Sequence, residues 1–265
     1  VLSFEPTNAG RDFWQKKFGK ALQLRLKLGF GRNDQTNVFR FVHGEGDGLP
    51  GLIIDYYNGV AVLQAYSVGM WRHRKLFAEI LMEMKDLPVQ AVYDKSRNTL
   101  DVASNDGESE EFLAGTAEQA VVMENGYRFE VDFREGQKTG FFIDQRENRL
   151  LLRSYCQNMR VANIYSYTGG FSVYAAAGGA SLIDSVDASE KAIALAEKHM
   201  QLNFGNQSGH RFFAMDAFDF FSGSTETYDI IVLDPPAFAK HRHNLNNALI
   251  AYRRINEAAM RKLST

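Results

Sequence analysis

The feature that most constrains the fold is a change of pattern near residue 161. From there on, short apolar runs alternate with segments of helical periodicity. Strands are predicted at 161–167, 181–186, 211–215 and 229–233, and helices at 171–177, 190–202, 217–221 and 245–263. Strands that alternate with helices in this way form a parallel sheet with helices on both faces. The sequence therefore predicts an α/β, Rossmann-like domain in this part of the chain.

The residues before this domain follow a different pattern. Trp14, Phe18 and Leu22 recur every four residues and predict a helix over 12–28, with Asp12 capping its start and Gly29 its end. The remaining predicted elements are strands at 38–42, 51–57, 60–67 and 91–93, a helix at 71–84, a polar loop at 94–115, and hairpins turning at Asn58-Gly59 and Asn125-Gly126.

Three parts follow from these patterns. Residues 1–30 are expected to hold a remnant strand and a linker helix, 31–120 a small α+β domain, and 121–265 the nucleotide-binding α/β domain. Residues 1–4 have the character of a strand end without a partner, and 259–265 stop where a helix would hand over to another strand. We therefore expect both ends to be truncated.

The residues directly after each strand of the α/β domain are the candidates for ligand binding, because ligands bind outside the carboxyl ends of such strands. Tyr167 and Gly169 follow the first strand in the run YTGGF, and Asp187 follows the second, 18 residues after Gly169. An acidic residue at this spacing accepts hydrogen bonds from a ribose diol. Asp216 and Ala217 follow the third strand, where a carboxylate can accept a hydrogen bond from an adenine amino group. Each carboxylate alone could cap a helix, but together they predict a site for an adenosine-containing ligand.

The loop after the fourth strand is DPPAF at 234–238. Pro235 and Pro236 fix the backbone and have no N–H to donate, so Asp234 and the Pro235 carbonyl can accept hydrogens from an exocyclic amine. Phe238 offers a ring on which an extruded base can stack. The chain lacks the G-x-G-x-x-G spacing typical of NAD sheets and the glycine-rich loop of P-loop enzymes. The loop therefore favours a base-modifying enzyme.

Composition limits the remaining classes. The chain has 265 residues, a net charge of −2 and one cysteine, Cys156. The sequence has no long apolar run, no leader pattern and no second thiol. We therefore expect a cytoplasmic protein that needs no metal. His241 and His243 are two residues apart, which is more typical of a solvated or RNA-facing pair than of a metal site.

Basic residues concentrate in two segments. Residues 1–32 contain seven basic and two acidic side chains, and residues 240–262 contain six basic and one acidic. Such segments are either solvated helix faces or contacts to a polyanion.

A family resemblance covers essentially the whole chain. The runs EGQKTGFFIDQRENR at 135–149, YTGGFS at 167–172 and DPPAF at 234–238 resemble the bacterial and archaeal large-subunit ribosomal RNA methyltransferases. The run HGEGDGLPGL at 43–52 is similar to the turn that opens the central domain of that family. The resemblance implies an N-terminal PUA module, a small central α+β domain and a Rossmann-like domain that binds S-adenosylmethionine (SAM).

By this resemblance residues 1–4 would be the last strand of an otherwise absent PUA module. The substrate would be a base of RNA, most simply carbon 5 of a cytosine in 23S ribosomal RNA, and a homodimer is left open. The residues implied around SAM are Lys138, Thr139, Phe142, Asp144 and Arg146 at the methionine and active-site mouth, Tyr167 and Gly169 on the methionine side, Asp187 and Ala188 at the ribose, and Asp216 and Ala217 at the adenine. Asp234, Pro235, Pro236 and Phe238 would form the catalytic loop.

The sequence departs from the 5-methylcytosine pattern in its cysteine. Methylation at cytosine carbon 5 needs a thiolate that adds to carbon 6, yet Cys156 lies in a predicted helix at 150–159 and is expected to be a buried structural thiol. The nucleophile of the resembled enzymes lies in a Ser-Cys-Ser-like loop beyond the last predicted strand. Methylation of a guanine or adenine nitrogen is therefore the alternative. A NAD-type oxidoreductase and a non-catalytic RNA-binding module are further alternatives.

Overall fold

The computed structural model describes residues 2, 8–31, 34–97, 99, 111–206, 208–239 and 245–264. The chain forms two compact units, Val1–Asp144 and Gln145–Thr265. The hairpin that the sequence assigned to the second domain lies in the first unit, where Asn37 and Met123 exchange hydrogen bonds of 2.9 and 2.7 Å. The contact boundary therefore falls later than residue 120.

The first unit contains a five-stranded sheet in the order β1-β2-β3-β4-β5. Neighbouring strands are antiparallel except β3 and β4, which are parallel and joined through two helices. The elements are α1 Arg11–Lys27, β1 Val38–His43, β2 Leu52–Tyr57, β3 Val60–Ala65, α2 Val68–Arg72, α3 Arg74–Met82, β4 Ala91–Asp94, β5 Glu111–Ala114, and the separate hairpin β6 Ala120–Glu124 and β7 Tyr127–Val131.

Both asparagine-glycine hairpins are confirmed. Asn58 and Gly59 have φ angles of 47° and 102°, and Asn125 and Gly126 have 51° and 85°. Positive φ at both central positions is the requirement of a type I′ turn.

Helix α1 is part of the core of the first unit, so the prediction of a linker helix was wrong. The rings of Trp14 and Phe18 lie 4.9 and 5.4 Å from that of Phe77 on α3. Gly10 occupies the N-cap position without a side-chain cap, and Asp12 lies in the first turn instead of capping it.

Two other expectations need correction. The predicted helix over 71–84 is two helices that meet at His73. The predicted loop at 94–115 contains strand β5, while residues 98 and 100–110 of that loop lie outside the described residues. The pairing of β5 with β4 is a tertiary contact that the polar composition of the segment does not reveal.

The second unit is the predicted α/β domain. Its elements are α4 Arg146–Arg153, β8 Arg160–Ile164, α5 Gly170–Ala177, β9 Leu182–Asp187, α6 Glu190–Phe204, β10 His210–Ala214, α7 Ala217–Gly223, β11 Ile230–Leu233 and α8 Leu245–Met260. The strands are all parallel in the order β10-β9-β8-β11. The chain thus moves outward from β8 to β10 and returns to the other side of β8, which creates a topological switch point between β8 and β11.

A buried carboxylate within this sheet accepts hydrogen bonds from two side chains. Buried Asp184 on β9 accepts two hydrogen bonds of 2.7 Å from Arg211 and one of 2.5 Å from the Tyr228 hydroxyl. Burial, followed by the hydrogen bond to Asp184, raises the pKa of Tyr228, so its hydroxyl remains a donor. After α8, Leu263 forms a parallel bridge with Tyr228.

No helix within the described residues is long and apolar enough to cross a membrane. Residues 1, 3 and 4, which the sequence interpretation assigned to a remnant strand, lie outside the described residues.

Candidate active site

The four strands of the second unit end at the same level. Leu233 of β11 pairs with Ile164 of β8, Ile164 with Val186 of β9, and Val186 with Phe213 of β10. Because the strands are parallel, the loops that follow them leave from one edge of the sheet. The four loops therefore start at the carboxyl edge of this sheet, where the sequence analysis placed the candidate ligand-binding residues.

The loop after β8 is held in an uncommon backbone conformation. Tyr165, Tyr167 and Gly169 have φ angles of 59°, 46° and 74°, in the left-handed region. Two such tyrosines store strain, which persists only where the surroundings fix the loop. The Tyr167 N–H donates to Asp187 at 2.9 Å, and the Ser166 N–H donates to the Val186 carbonyl at 2.9 Å. The end of β9 therefore clamps the loop of β8.

Gly169 is required by packing as well as by its backbone angle. A Cβ at this position would lie 2.7 Å from the Cβ of Ala196 on α6. At Gly170 the added Cβ would lie 3.2 Å from the Arg149 side chain. The two glycines thus allow α6 and α4 to approach this loop closely.

The two carboxylates after β9 and β10 are anchored, and each retains acceptor capacity. Asp187 accepts from the Tyr167 and Ser189 N–H groups, at 2.9 and 3.0 Å. Asp216 is the N-cap of α7, and its Oδ1 accepts from the Phe218 N–H at 2.7 Å. A carboxylate has about four lone-pair sites. The capping role and a ligand-binding role are therefore compatible at both positions.

Tyr165 lies directly after β8 and was not identified from the sequence. Burial raises the pKa of its hydroxyl, and the charges of Asp216 and Asp187 raise it further. A phenol that both carboxylates influence lies at the same edge of the sheet, and its hydroxyl stays protonated at neutral pH. No sequence signal marked it, because the predicted strand at 161–167 runs past Tyr165, whereas β8 ends at Ile164.

An adenosine-containing ligand fits the donors and acceptors at this edge. The buried Ser166 hydroxyl has no hydrogen-bond partner in the part of the chain that the structure describes. A buried hydroxyl without a partner costs about 1–3 kcal/mol, a cost that a polar ligand group would remove. Asp187 and Asp216 supply acceptors for a ribose diol and an amino group.

The loop after β11 is braced by Tyr252 of α8, a residue that the sequence interpretation missed. The Tyr252 hydroxyl lies 3.4 Å from the Pro236 carbonyl and 3.4 Å from the Phe238 N–H. Its ring centroid lies 4.6 Å from that of Phe238. Asp234 and Pro236 are exposed, whereas Phe238 is half-buried and packs against the core of the unit. Only part of the Phe238 ring remains accessible for a base.

Four of the residues implied around SAM lie in the first unit. The Lys138 ammonium lies 4.7 Å from the Phe142 ring centroid and 4.0 Å from the Asp144 carboxylate. Thr139 differs, because it is buried and donates to Asp55 at 2.6 Å while lying 2.7 Å from the Tyr57 hydroxyl. A ligand contact through the Thr139 hydroxyl would have to displace these bonds. Its geometry indicates an anchoring role for the 138–144 segment.

The other implied residues lie in the second unit. Arg146 begins α4 and its Nε donates to Glu147 at 3.1 Å. Ala188 is exposed directly after β9, and Ala217 is buried in the first turn of α7. Ala217 can therefore contact a ligand only on the side away from the core.

Cys156 is buried, as predicted, but lies after the end of α4 at Arg153 and not within a helix. Burial raises the pKa of its thiol to about 11. The thiol is thus protonated at neutral pH and is not an activated nucleophile.

Within the described residues no group of His, Cys, Asp and Glu side chains could hold a metal ion. His241, His243 and Lys240 lie outside the described residues.

Comparison with known proteins gives the assignment. The sequence profile described as S-adenosylmethionine-dependent methyltransferase matches residues 39–263. The chain belongs to this methyltransferase family. The match decides between the methyltransferase interpretation and that of a NAD-type oxidoreductase, and it agrees with the adenosine-compatible edge described above.

Two curated relatives are similar to almost the whole of this chain. The ribosomal RNA large subunit methyltransferase of Deinococcus radiodurans is 35% identical over 270 residues, which covers 98% of this chain and 65% of that protein. The ribosomal RNA large subunit methyltransferase I of Escherichia coli is 34% identical over 274 residues, covering 100% and 67%. The chain spans less than two thirds of several curated relatives.

A solved structure supports the fold of this chain and the cofactor of the family. A protein assigned as a methyltransferase and crystallised with SAH is 27% identical, with a TM-score of 0.84, and the match covers 100% of this chain and 68% of that one. SAH is the form of SAM that has lost its methyl group, and SAM is the cofactor of the family.

Proposed function

We propose that the protein transfers a methyl group from SAM to a base of large-subunit ribosomal RNA. The proposal depends mainly on one observation: the four parallel strands end at the same level, so the loops that follow them start at one edge of the sheet. These loops contain Tyr165–Gly169, Asp187, Asp216 and Asp234. The names of the relatives from Deinococcus and Escherichia coli support RNA as the substrate.

Each loop has a different proposed role in binding SAM. Asp187 would accept hydrogen bonds from the ribose hydroxyls and Asp216 from the adenine amino group, while the strained loop after β8 lies along the methionine side. SAM, when bound, supplies a methyl group on a positively charged sulfur. The protein then needs to supply proximity and alignment, not a strong base or a metal. Lys138, Phe142, Asp144 and Arg146 remain proposed contacts at the methionine and active-site mouth.

Asp234 and the diproline loop would hold the target base. Pro235 and Pro236 have no N–H groups, so the loop presents acceptors to an exocyclic amine. The Tyr252 hydroxyl near the Pro236 carbonyl keeps this loop in place. The accessible part of Phe238 would contact the face of the base.

The target atom depends on a thiolate. We propose cytosine carbon 5, the target in the resembled branch. This chemistry requires a nucleophilic cysteine outside residues 1–265, because Cys156 is buried and protonated. Methylation of a guanine or adenine nitrogen is the second candidate, and the same burial of Cys156 favours it, since nitrogen methylation needs no covalent adduct.

The basic segments support an RNA interface in part. Arg25 is buried in a bidentate pair with Asp47, and Arg11 pairs with Glu79 and Glu83. These two residues therefore stabilise the first unit. The exposed basic residues proposed to contact RNA are Lys16, Lys20, Lys27, Arg253 and Arg254.

Methyl transfer from radiolabelled SAM to deproteinised 23S ribosomal RNA tests the function, with the modified nucleoside identified by mass spectrometry. We expect Asp234→Asn to lower kcat at least 100-fold while the Kd for SAM changes less than threefold, because Asp234 would hold the target base. Asp86→Asn, at an exposed position of the first unit, is the matched control and should retain full activity.

The outcomes separate the parts of the proposal. A wild-type protein that binds SAM but methylates no RNA would refute the substrate class. Formation of 5-methylcytidine supports carbon chemistry, whereas a methylated guanosine or adenosine supports the nitrogen alternative.

A further inference from the structure

The first unit contains a cavity of about 320 Å³, and Lys138 is the one residue of its lining that is also a proposed contact at the active-site mouth. The polar residues of its lining are Arg40, Glu45, Gln64, Tyr66 and Lys138, and Leu52 and Ile53 of β2 also line it. The volume lies at the lower end of the range for ligand pockets, about 300–1,000 Å³. A cavity of this size accommodates one small planar group with polar substituents.

Arg40 is fixed in this cavity by a buried chain of hydrogen bonds. Its Nε and Nη2 donate to Asp55 at 2.9 and 3.2 Å. The Thr139 hydroxyl donates to the same carboxylate at 2.6 Å, and the Tyr57 hydroxyl, 2.7 Å away, donates to Thr139. Asp55 and Tyr57 are fully buried. Arg40 is therefore held in one orientation without the entropy that a surface arginine loses on binding.

This arrangement leaves the Nη1 group of the Arg40 guanidinium available to donate hydrogen bonds to a ligand. The Nη1 of Arg40 has no hydrogen-bond partner among the residues that the structure describes, and the side chain is 30% exposed. Burial lowers the pKa of Arg40, but the hydrogen bonds and charge of Asp55 outweigh it and raise the pKa, so the donor stays charged.

Tyr66 supplies an aromatic face at the same cavity. It is 52% exposed, and its hydroxyl donates to Gln64 at 3.3 Å, which restricts the ring. An exposed aromatic ring beside a fixed cation is typical of sites that stack single-stranded bases.

Lys138 adds a second cation, and its backbone is strained. Its side chain is 58% exposed, and its φ of 50° places a non-glycine residue in the left-handed region. Strained residues of this kind cluster at ligand-binding positions. Thr139, directly after it, anchors the backbone to Asp55.

We propose that this cavity binds an unpaired nucleotide of the substrate RNA, distinct from the base that is methylated. The base stacks on Tyr66, with Gln64 and Glu45 as acceptors for its amino group, and Arg40 and Lys138 contact the phosphate. The inference rests on the proposed RNA substrate and adds a second point of recognition, which sets the affinity for RNA and not the chemical step.

Steady-state kinetics with deproteinised 23S ribosomal RNA and radiolabelled SAM test this assignment. For Tyr66→Ala we expect the KM for RNA to rise about 5- to 150-fold, the range that base stacking supplies, with kcat and the Kd for SAM unchanged within threefold. Tyr66→Phe keeps the ring and should remain within threefold of wild type. Tyr155→Ala removes a similarly exposed tyrosine outside the cavity (61% exposed) and should behave as wild type.

A photocrosslink gives a readout independent of activity. Ribosomal RNA that contains 4-thiouridine should crosslink to Tyr66 or its immediate neighbours when irradiated with wild-type protein, and peptide mapping identifies the site.

Each result decides the inference. If wild type methylates RNA and Tyr66→Ala leaves the KM for RNA unchanged, the nucleotide site is wrong while the proposed function stands. If Tyr66→Ala instead raises the Kd for SAM alone, the cavity belongs to the cofactor. If the wild-type protein neither methylates RNA nor crosslinks to it, both the proposed function and the nucleotide site fail.

Discussion

The glycine at the head of α5 gives a quantitative test of how the candidate site is built. In Gly169→Ala, the new Cβ lies 2.7 Å from the Cβ and 3.1 Å from the Cα of Ala196. Both atoms belong to or adjoin the backbone of α6, so no side-chain rotation relieves the overlap. Overpacking of this kind costs about 1–3 kcal/mol. The left-handed backbone, at φ 74° and ψ 21°, adds about 1–2 kcal/mol for a residue with a Cβ.

The free energy of unfolding of the second unit should therefore fall by about 2–5 kcal/mol. With a urea slope of about 2 kcal/mol per M, the midpoint of the urea transition shifts down by about 1–2.5 M. Circular dichroism is the appropriate probe, because both tryptophans, Trp14 and Trp71, lie in the first unit and fluorescence reports on that unit. Gly223→Ala is the control within the same unit, since its added Cβ meets nothing within 4 Å.

A double-mutant cycle isolates the overlap from the backbone strain. Ala196→Gly alone should destabilise, because glycine costs about 1 kcal/mol in a helix interior. Combined with Gly169→Ala it removes the overlapping atom, so the two changes should couple favourably by about 1–3 kcal/mol. A Gly169→Ala urea midpoint within about 0.3 M of wild type, which corresponds to about 0.5 kcal/mol, would refute the packing argument. So would a cycle in which the two single changes add to within about 0.5 kcal/mol.

Two further predictions concern charge at the second unit. Asp216→Asn should raise the Kd for SAM about tenfold, as measured by calorimetry, with a urea midpoint equal to that of wild type, because asparagine caps α7 as well as aspartate does; an unchanged Kd would remove Asp216 from the adenine site. Cys156 should resist iodoacetamide at pH 8 until urea unfolds the unit. Because folding raises its pKa to about 11, the folded state keeps the proton longer, and stability should fall as pH rises from about 8.5 to 11; a Cys156→Ser variant with the same decline would contradict this.

The sequence predicted the elements of the second unit well because each carries a local signal. Ser189 directly precedes the predicted helix at 190–202 and caps α6, accepting from the Ala192 N–H at 3.2 Å. Asn58-Gly59 and Asn125-Gly126 adopt the positive φ angles that their residue types favour. Where the residue type itself limits the backbone, the sequence was sufficient.

The predictions failed where a distant segment decides the outcome. Strand β5 forms in a polar stretch because β4 offers it a partner. Thr139 was implied at the ligand, but the buried carboxylate of Asp55, 84 residues earlier, holds its hydroxyl. Tyr252 was read only as part of a helix, and its role near the Pro236 carbonyl follows from how α8 packs.

By itself the sequence determined that this chain forms a parallel α/β sheet whose strand ends carry Tyr167, Gly169, Asp187, Asp216 and Asp234. Hydrophobic periodicity and turn residues act over a few positions, so their effects can be deduced without the fold. The tertiary structure alone decided that the four strands end level, that burial, Asp216 and Asp187 raise the pKa of Tyr165, that Cys156 is buried and protonated, and that Arg40 and Tyr66 share a cavity. These features depend on distances between segments far apart in the chain, and burial and strand register set those distances.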